Sequence, residues 1–271
     1  MISTVPVLMF HHVTPEPGLV TIAPNTFESQ MAYLAKKNFK TLRANEFLEF
    51  IRGKLVLSQP SVFITFDDGY LDNYVYAYPV LKRFGFSATI FGITGWLGEG
   101  PVRNFAGNER NVACPNHNAC ASAIRENRHD QVMLRWSEVE KMLGDGTMEL
   151  HSHTHSHKRW DKIVADGDVR QTLLREDLEK SRRAIERRLG IQSSHLCWPQ
   201  GYFDQDYQRV ARDVGFRALY TTQKNVVTAG CDPFSIGRMV VRDRADYWFA
   251  SRIWLYSRPL IGKLYSRIRG F

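Results

Sequence analysis

"SVFITFDDGY", residues 61–70, runs six strand-forming residues straight into two adjacent carboxylates and a glycine. A short apolar run closed by a turn signal reads as a strand buried on both faces, the kind that a parallel sheet requires. Asp-Asp-Gly is common in ordinary turns. It also suits chemistry: successive side chains point in different directions, so one carboxylate can ligate a metal while the other faces a substrate as general base. Gly69 allows the tight turn that brings the backbone close.

Outward from this stretch the same alternation recurs. Strands are predicted at 5–10, 61–66, 87–93, 147–150, 194–199, 217–222 and 237–241. Amphipathic segments lie between them at 26–37, 44–52, 72–84, 136–143, 169–189 and 204–214. Strand and helix alternating without obvious linkers argues for a parallel α/β sheet or barrel. Chemistry in such folds collects where strands end. Polar residues do follow four predicted strands: His11 and His12, Asp67 and Asp68, the histidines after 147–150, and "WPQGYFD" after 194–198. These would share one rim. The irregular stretch 98–132 reads as an inserted loop beside that rim, and loops of this length are usually functional. Its Cys114, His117 and Cys120 lack a second ligand pair and read as an ordinary loop rather than a metal site.

"ELHSHTHSH", residues 149–157, holds four of the nine histidines, at alternate positions. As one extended strand they would span roughly 20 Å, at about 3.3 Å per residue, and one ion cannot use all four. On a turn, residues four apart come within about 5–6 Å. Two pairs qualify, His151 with His155 and His153 with His157. Either pair plus one Asp makes a two-His, one-carboxylate face with open positions.

Bulk properties bound the partners. The chain has 271 residues and a formal charge of +8, enough for one barrel domain (1–244) and a basic, aromatic C-terminal helix (245–271). From Arg238 onward there are eight basic residues and two acids. Nucleic-acid signatures are missing, so no nucleic-acid partner is expected. Aromatic and basic residues interleaved through 245–271 suit either a membrane interface or a helix packed on the barrel, kinked or split at Pro259. Four cysteines are too few for a disulfide scaffold. The opening has no basic n-region and only a short apolar run, so a cytoplasmic protein, peripheral on the inner membrane face, is the expectation.

Taken together, "TFDDG", a later His-Ser/Thr-x-x-His element, Trp-Pro-x-Gly, the opening "PVLMFHHV" and "FESQMAYLAKKNFKTL" resemble the polysaccharide deacetylases of carbohydrate esterase family 4. The resemblance covers nearly the whole chain. It implies a distorted (β/α) barrel of seven or eight strands and metal-dependent removal of N-acetyl groups from a glycan substrate, usually with zinc. It implies Asp67 as general base and Asp68 as metal ligand. His151 falls where the family has Gly, which makes His153 and His157 the metal pair, with His151 and His155 as supporting neighbours. The oxyanion donor falls at Gln200, flanked by Trp198, Pro199 and Gly201. The Arg usual two residues before that Pro is replaced by Cys197, and Arg238 is the candidate to support the base instead. No His follows His195, so His11 is the candidate general acid, with His12 turned to the other side. Two rivals are a barrel that binds glycan without turnover and a non-haem Fe(II) oxygenase. The second leaves Asp67 unexplained.

Overall fold

The chain is seen in a computed structural model that describes residues 2–103 and 114–268. In chain order its strands and helices are β1 (Val7–Phe10), β2 (His12–Val13), β3 (Thr21–Ile22), α1 (Pro24–Lys36), β4 (Lys40–Thr41), α2 (Ala44–Ile51), β5 (Ser61–Asp68), α3 (Tyr78–Phe84), β6 (Ala88–Gly92) and α4 (His117–Arg125). They continue with α5 (Trp136–Gly144), β7 (Met148–Ser152), α6 (Trp160–Ile163), α7 (Gly167–Leu189), β8 (His195–Cys197), α8 (Gln205–Val214), β9 (Ala218–Tyr220), β10 (Met239–Val240), α9 (Asp246–Tyr256) and α10 (Pro259–Ile268). A π-helical turn, Asn73–Ala77, leads into α3.

The sheet is parallel, in the order β10-β1-β5-β6-β7-β8-β9, with β4 added beside β5. It curls until one stretch touches both edges. Ile236 bonds to the free side of β9 through Leu219 O and Thr221 N, and just beyond it β10 pairs with β1. This seam closes a distorted barrel.

β5 is buried along its whole length, as expected of a strand covered on both faces. Its Val62, Ile64 and Phe66 pack outward with Phe27 and Met31 of α1 and Leu81 of α3. Phe63 takes the opposite face, with Phe91 and Tyr220. The alternation then sets Thr65 and Asp67 on the inner side. Asp68 breaks the rule, with φ +72°, and its side chain swings over the rim.

The inserted-loop expectation for 98–132 needs correction. Residues 117–125 are helical, capped by the Asn116 side chain on Ala119 N at 3.1 Å, and Cys120 and Ala123 are buried beneath Tyr70 and Met133. Residues 104–113 lie outside the described residues. The C-terminal stretch is split at Pro259, as that residue implies, into α9 and α10. Phe249, Ile253, Leu255 and Tyr256 of α9 are buried in the core, so this half is a packed helix. Leu260 and Leu264 of α10 are exposed. Among the described residues no helix is long and apolar enough to cross a membrane.

Candidate active site

Four strand ends build one rim. β7 stops at Ser152, and a turn with left-handed residues at Thr154 (φ +67°) and His157 (φ +57°) brings His153 and His157 round to Asp68. Left-handed backbone is costly for a β-branched residue, so bonds must hold it. Ser152 Oγ accepts from Thr154 N at 3.0 Å, Thr154 Oγ1 accepts from His157 N at 2.9 Å, and His155 O accepts from Gly95 N at 2.9 Å.

Asp68 Oδ1 lies 3.3 Å from His153 Nε2 and 3.6 Å from His157 Nε2. His153 donates Nδ1–H to Cys197 O at 2.8 Å, which orients the ring so that Nε2 faces Asp68. His151, the other candidate, stays in the sheet, with Nδ1 3.0 Å from Ser193 Oγ and its ring on His195. His155 bonds Thr94 Oγ1 at 3.0 Å. Among the described residues neither joins a cluster of donors close enough to share an ion, whereas His153 and His157 do so with Asp68.

Asp67 is 2% exposed and grips Arg238 with both oxygens, at 2.6 and 2.7 Å. Arg238 is itself tied to Thr221 O at 3.0 Å, Thr65 Oγ1 at 3.2 Å and Cys197 Sγ at 3.0 Å. The guanidinium thus reaches the base from the seam, and Cys197 fills the space beside it. Asp67, His153 and Cys197 also place donors close together. Arg238 already neutralises that corner, which disfavours a second cation there.

The charges follow from these contacts. Burial alone would raise the Asp67 carboxyl, but the Arg238 guanidinium holds it below its usual value. Burial opposes ionisation of Asp68 too, and bonds and charge from His153 and His157 hold it far lower still. Burial presses His157 down to about 4. His153 resists burial because Cys197, Asp68 and Asp67 favour its imidazolium, and its pKa stands well above the ordinary value. His11 Nε2 lies 3.8 Å from Asp67 Oδ2, and burial lowers its pKa despite both carboxylates.

On the β8 side, Gln200 is exposed at φ +57°, its side chain accepting from Arg159 Nη1 at 3.1 Å. Gly201 is required there: at φ +70° a Cβ would fall 2.2 Å from Thr222 Oγ1. Pro199 and Trp198 are buried. Trp198 packs on Tyr207 among the α7 and α8 residues, so it supports the turn from below rather than facing the rim.

The sequence reading missed a buried array beside the site. His12 Nδ1 donates to Asp72 Oδ2 at 2.6 Å, its Nε2 faces His117 Nδ1 at 3.2 Å, and its ring stacks on Tyr70 at 3.8 Å. Burial and the nearby Asp68 carboxylate push the Tyr70 hydroxyl well above its ordinary pKa. The only local signal was the continuation "DDGYLDN".

An arginine-held carboxylate thus lies beside a second carboxylate and two histidines whose donor atoms are close enough to share an ion. A family model for polysaccharide deacetylase matches residues 54–219. The poly-beta-1,6-N-acetyl-D-glucosamine N-deacetylase of Staphylococcus aureus strain MSSA476 is 26% identical over 232 residues, 83% of this chain and 69% of that one. Two solved structures share the fold at 21% identity. IcaB from Ammonifex degensii has a TM-score of 0.73 over 94% of this chain and 98% of that one. The de-N-acetylase from Aggregatibacter actinomycetemcomitans has 0.72 over 92% and 99%. The rim formed by "TFDD", the His153–His157 turn and the "WPQG" corner lies within the matched span, and this chain belongs to the polysaccharide deacetylase family.

Proposed function

We propose that the protein is a metal-dependent N-deacetylase of a polymer of N-acetylglucosamine, β-1,6-linked as in the substrate that names its staphylococcal relative. The observation that carries this reading is the placement of the Asp68–His153–His157 cluster beside the arginine-held Asp67.

The donor set suits a divalent ion. The carboxylate oxygen lies 3.3 and 3.6 Å from the two ring nitrogens, and two donors each about 2.1 Å from one tetrahedral ion would be about 3.4 Å apart. Asp68, His153 and His157 would hold it, and zinc fits this ligand mix. When bound, the metal polarises the acetyl carbonyl and lowers the pKa of a coordinated water. Asp67, ionised and fixed by Arg238, takes a proton from the attacking water. His11, on the same side at 3.8 Å, carries a proton to the departing amine. Half-buried, with its pKa lowered by desolvation, it receives the proton that Asp67 has taken through one bridging water, since 3.8 Å is too long for direct transfer. The Gln200 backbone N–H is the candidate donor to the oxyanion.

The test is acetate release from β-1,6-linked N-acetylglucosamine oligomers. Release is expected with added zinc, with loss on chelation and return on readdition. Turnover that ignores chelation, or oligomer binding without turnover by metal-loaded protein, would overturn the reading. Chelation has a second expected readout. Asp68 and Asp67 favour the imidazolium of His153 in the metal-free site, and a ligand must be neutral. Removing the metal near pH 7 should therefore be accompanied by net proton uptake, measurable in weakly buffered solution. A pH-neutral removal would contradict this ligand assignment.

A further inference from the structure

His117 is absent from the chemistry above, yet it is the terminus of a three-residue relay into the rim. Asp72 is 2% exposed and its carboxylate accepts three bonds: His12 Nδ1 at 2.6 Å, Val13 N at 3.1 Å and Asn73 Nδ2 at 2.8 Å. Three donors satisfy the buried carboxylate, and His12 is itself fully buried and stacked on Tyr70. With a single ring hydrogen on Nδ1, given to Asp72, the His12 Nε2 is a lone pair. His117 Nδ1, 3.2 Å away, must then be the donor, and His117 Nε2 is left as an outward acceptor.

The segment carrying His117 is held firmly. Thr14 Oγ1 donates to Cys114 O at 2.6 Å, and Asn116 caps the helix that His117 begins. The ring is partly exposed, lies edge-on to Tyr70 at 6.2 Å, and is within electrostatic reach of Asp68 and His11. Burial favours its neutral form.

Resting on the glycan reading above, we infer that His117 Nε2 accepts a hydrogen bond from a ring hydroxyl of the substrate sugar, with its tautomer fixed by Asp72 through His12. His117 is then a specificity-determining residue, and His12 and Asp72 are positioning residues. In a β-1,6-linked chain the hydroxyls left free on an internal sugar are those at C3 and C4, so two monodeoxy oligomers cover the alternatives.

Two measurements on the full, zinc-loaded chain test this. Nitrogen-15 spectra of the imidazoles should show His117 with hydrogen on Nδ1 and a bare Nε2, and the assignment should be lost in Asp72→Asn. In kinetics, His117→Ala should raise KM about tenfold, with kcat held within about twofold, the pattern of a lost binding contact. His117→Gln, which restores an acceptor, should recover part of the loss. One deoxy oligomer should cost wild type about as much, yet cost His117→Ala nothing further. An Nε2–H tautomer overturns the inference whatever sugar the enzyme turns over. So does a deoxy penalty that is the same in wild type and His117→Ala for both oligomers. Failure of wild type to release acetate from the parent oligomer overturns the glycan reading itself.

Discussion

Asp67→Asn should lower kcat/KM for acetate release by about 10²–10⁴-fold, the range for losing a positioned general base. The amide is close in shape to the carboxylate but cannot take a proton from water. Asp68, His153 and His157 are untouched, so metal binding should persist, and metal content is the control. One complication follows from the same geometry. Arg238 is fully buried, and its charge loses its partner when the carboxylate becomes a neutral amide, so some stability should be lost along with activity. Retained activity within about tenfold, well short of the loss expected for a general base, would remove Asp67 from the mechanism.

Arg238→Met should be the most destabilising of the substitutions considered. It leaves the Asp67 carboxylate buried and unpaired, at a cost of about 3–5 kcal/mol, read as a fall in Tm of roughly 10 °C. The double variant Asp67→Asn/Arg238→Met buries no net charge. It should be more stable than the sum of the two single losses implies, although still inactive. The pH dependence carries a definite sign. Because Arg238 lowers the folded-state pKa of Asp67, the pair contributes stability that is complete above the unfolded carboxylate pKa of about 3.9 and lost as pH falls through the lower folded value. In Arg238→Met the largest influence opposing burial is gone and the carboxyl pKa rises, so the acid limb of its residual kcat/KM should move to higher pH. A limb that stays in place would mean that Arg238 does not tune the base.

The barrel strands were legible because a strand covered on both faces must be a continuous apolar run. Those runs fell within two residues of the observed strands at β1, β5, β6, β7, β8, β9 and β10. β2 and β3 could not be found this way, since two-residue strands have no period. The helix at 117–125 was hidden because its buried face is only Cys120 and Ala123, too small to register as an apolar stripe. The positions of Asp67, Asp68 and the histidine turn were visible locally. The choice between the two histidine pairs needed the backbone at Thr154 and His157, which no side-chain spacing encodes. The array behind His117 was invisible because His12 is 105 residues away from it along the chain. Arg238 was identifiable only as a cation of suitable chemistry, since 171 residues separate it from Asp67.

Arg238 also sits where the barrel joins itself, bonded to Thr221 beside β9 and to Thr65 and Asp67 on β5. One side chain at the entry to β10 therefore links the seam to the orientation of Asp67. Loosening of β10, two residues long and at the end of the sheet, would free the guanidinium before the apolar core lets go. Warming or mild denaturant should then silence the enzyme while its helices persist, so turnover serves as a gauge of closure rather than of folding.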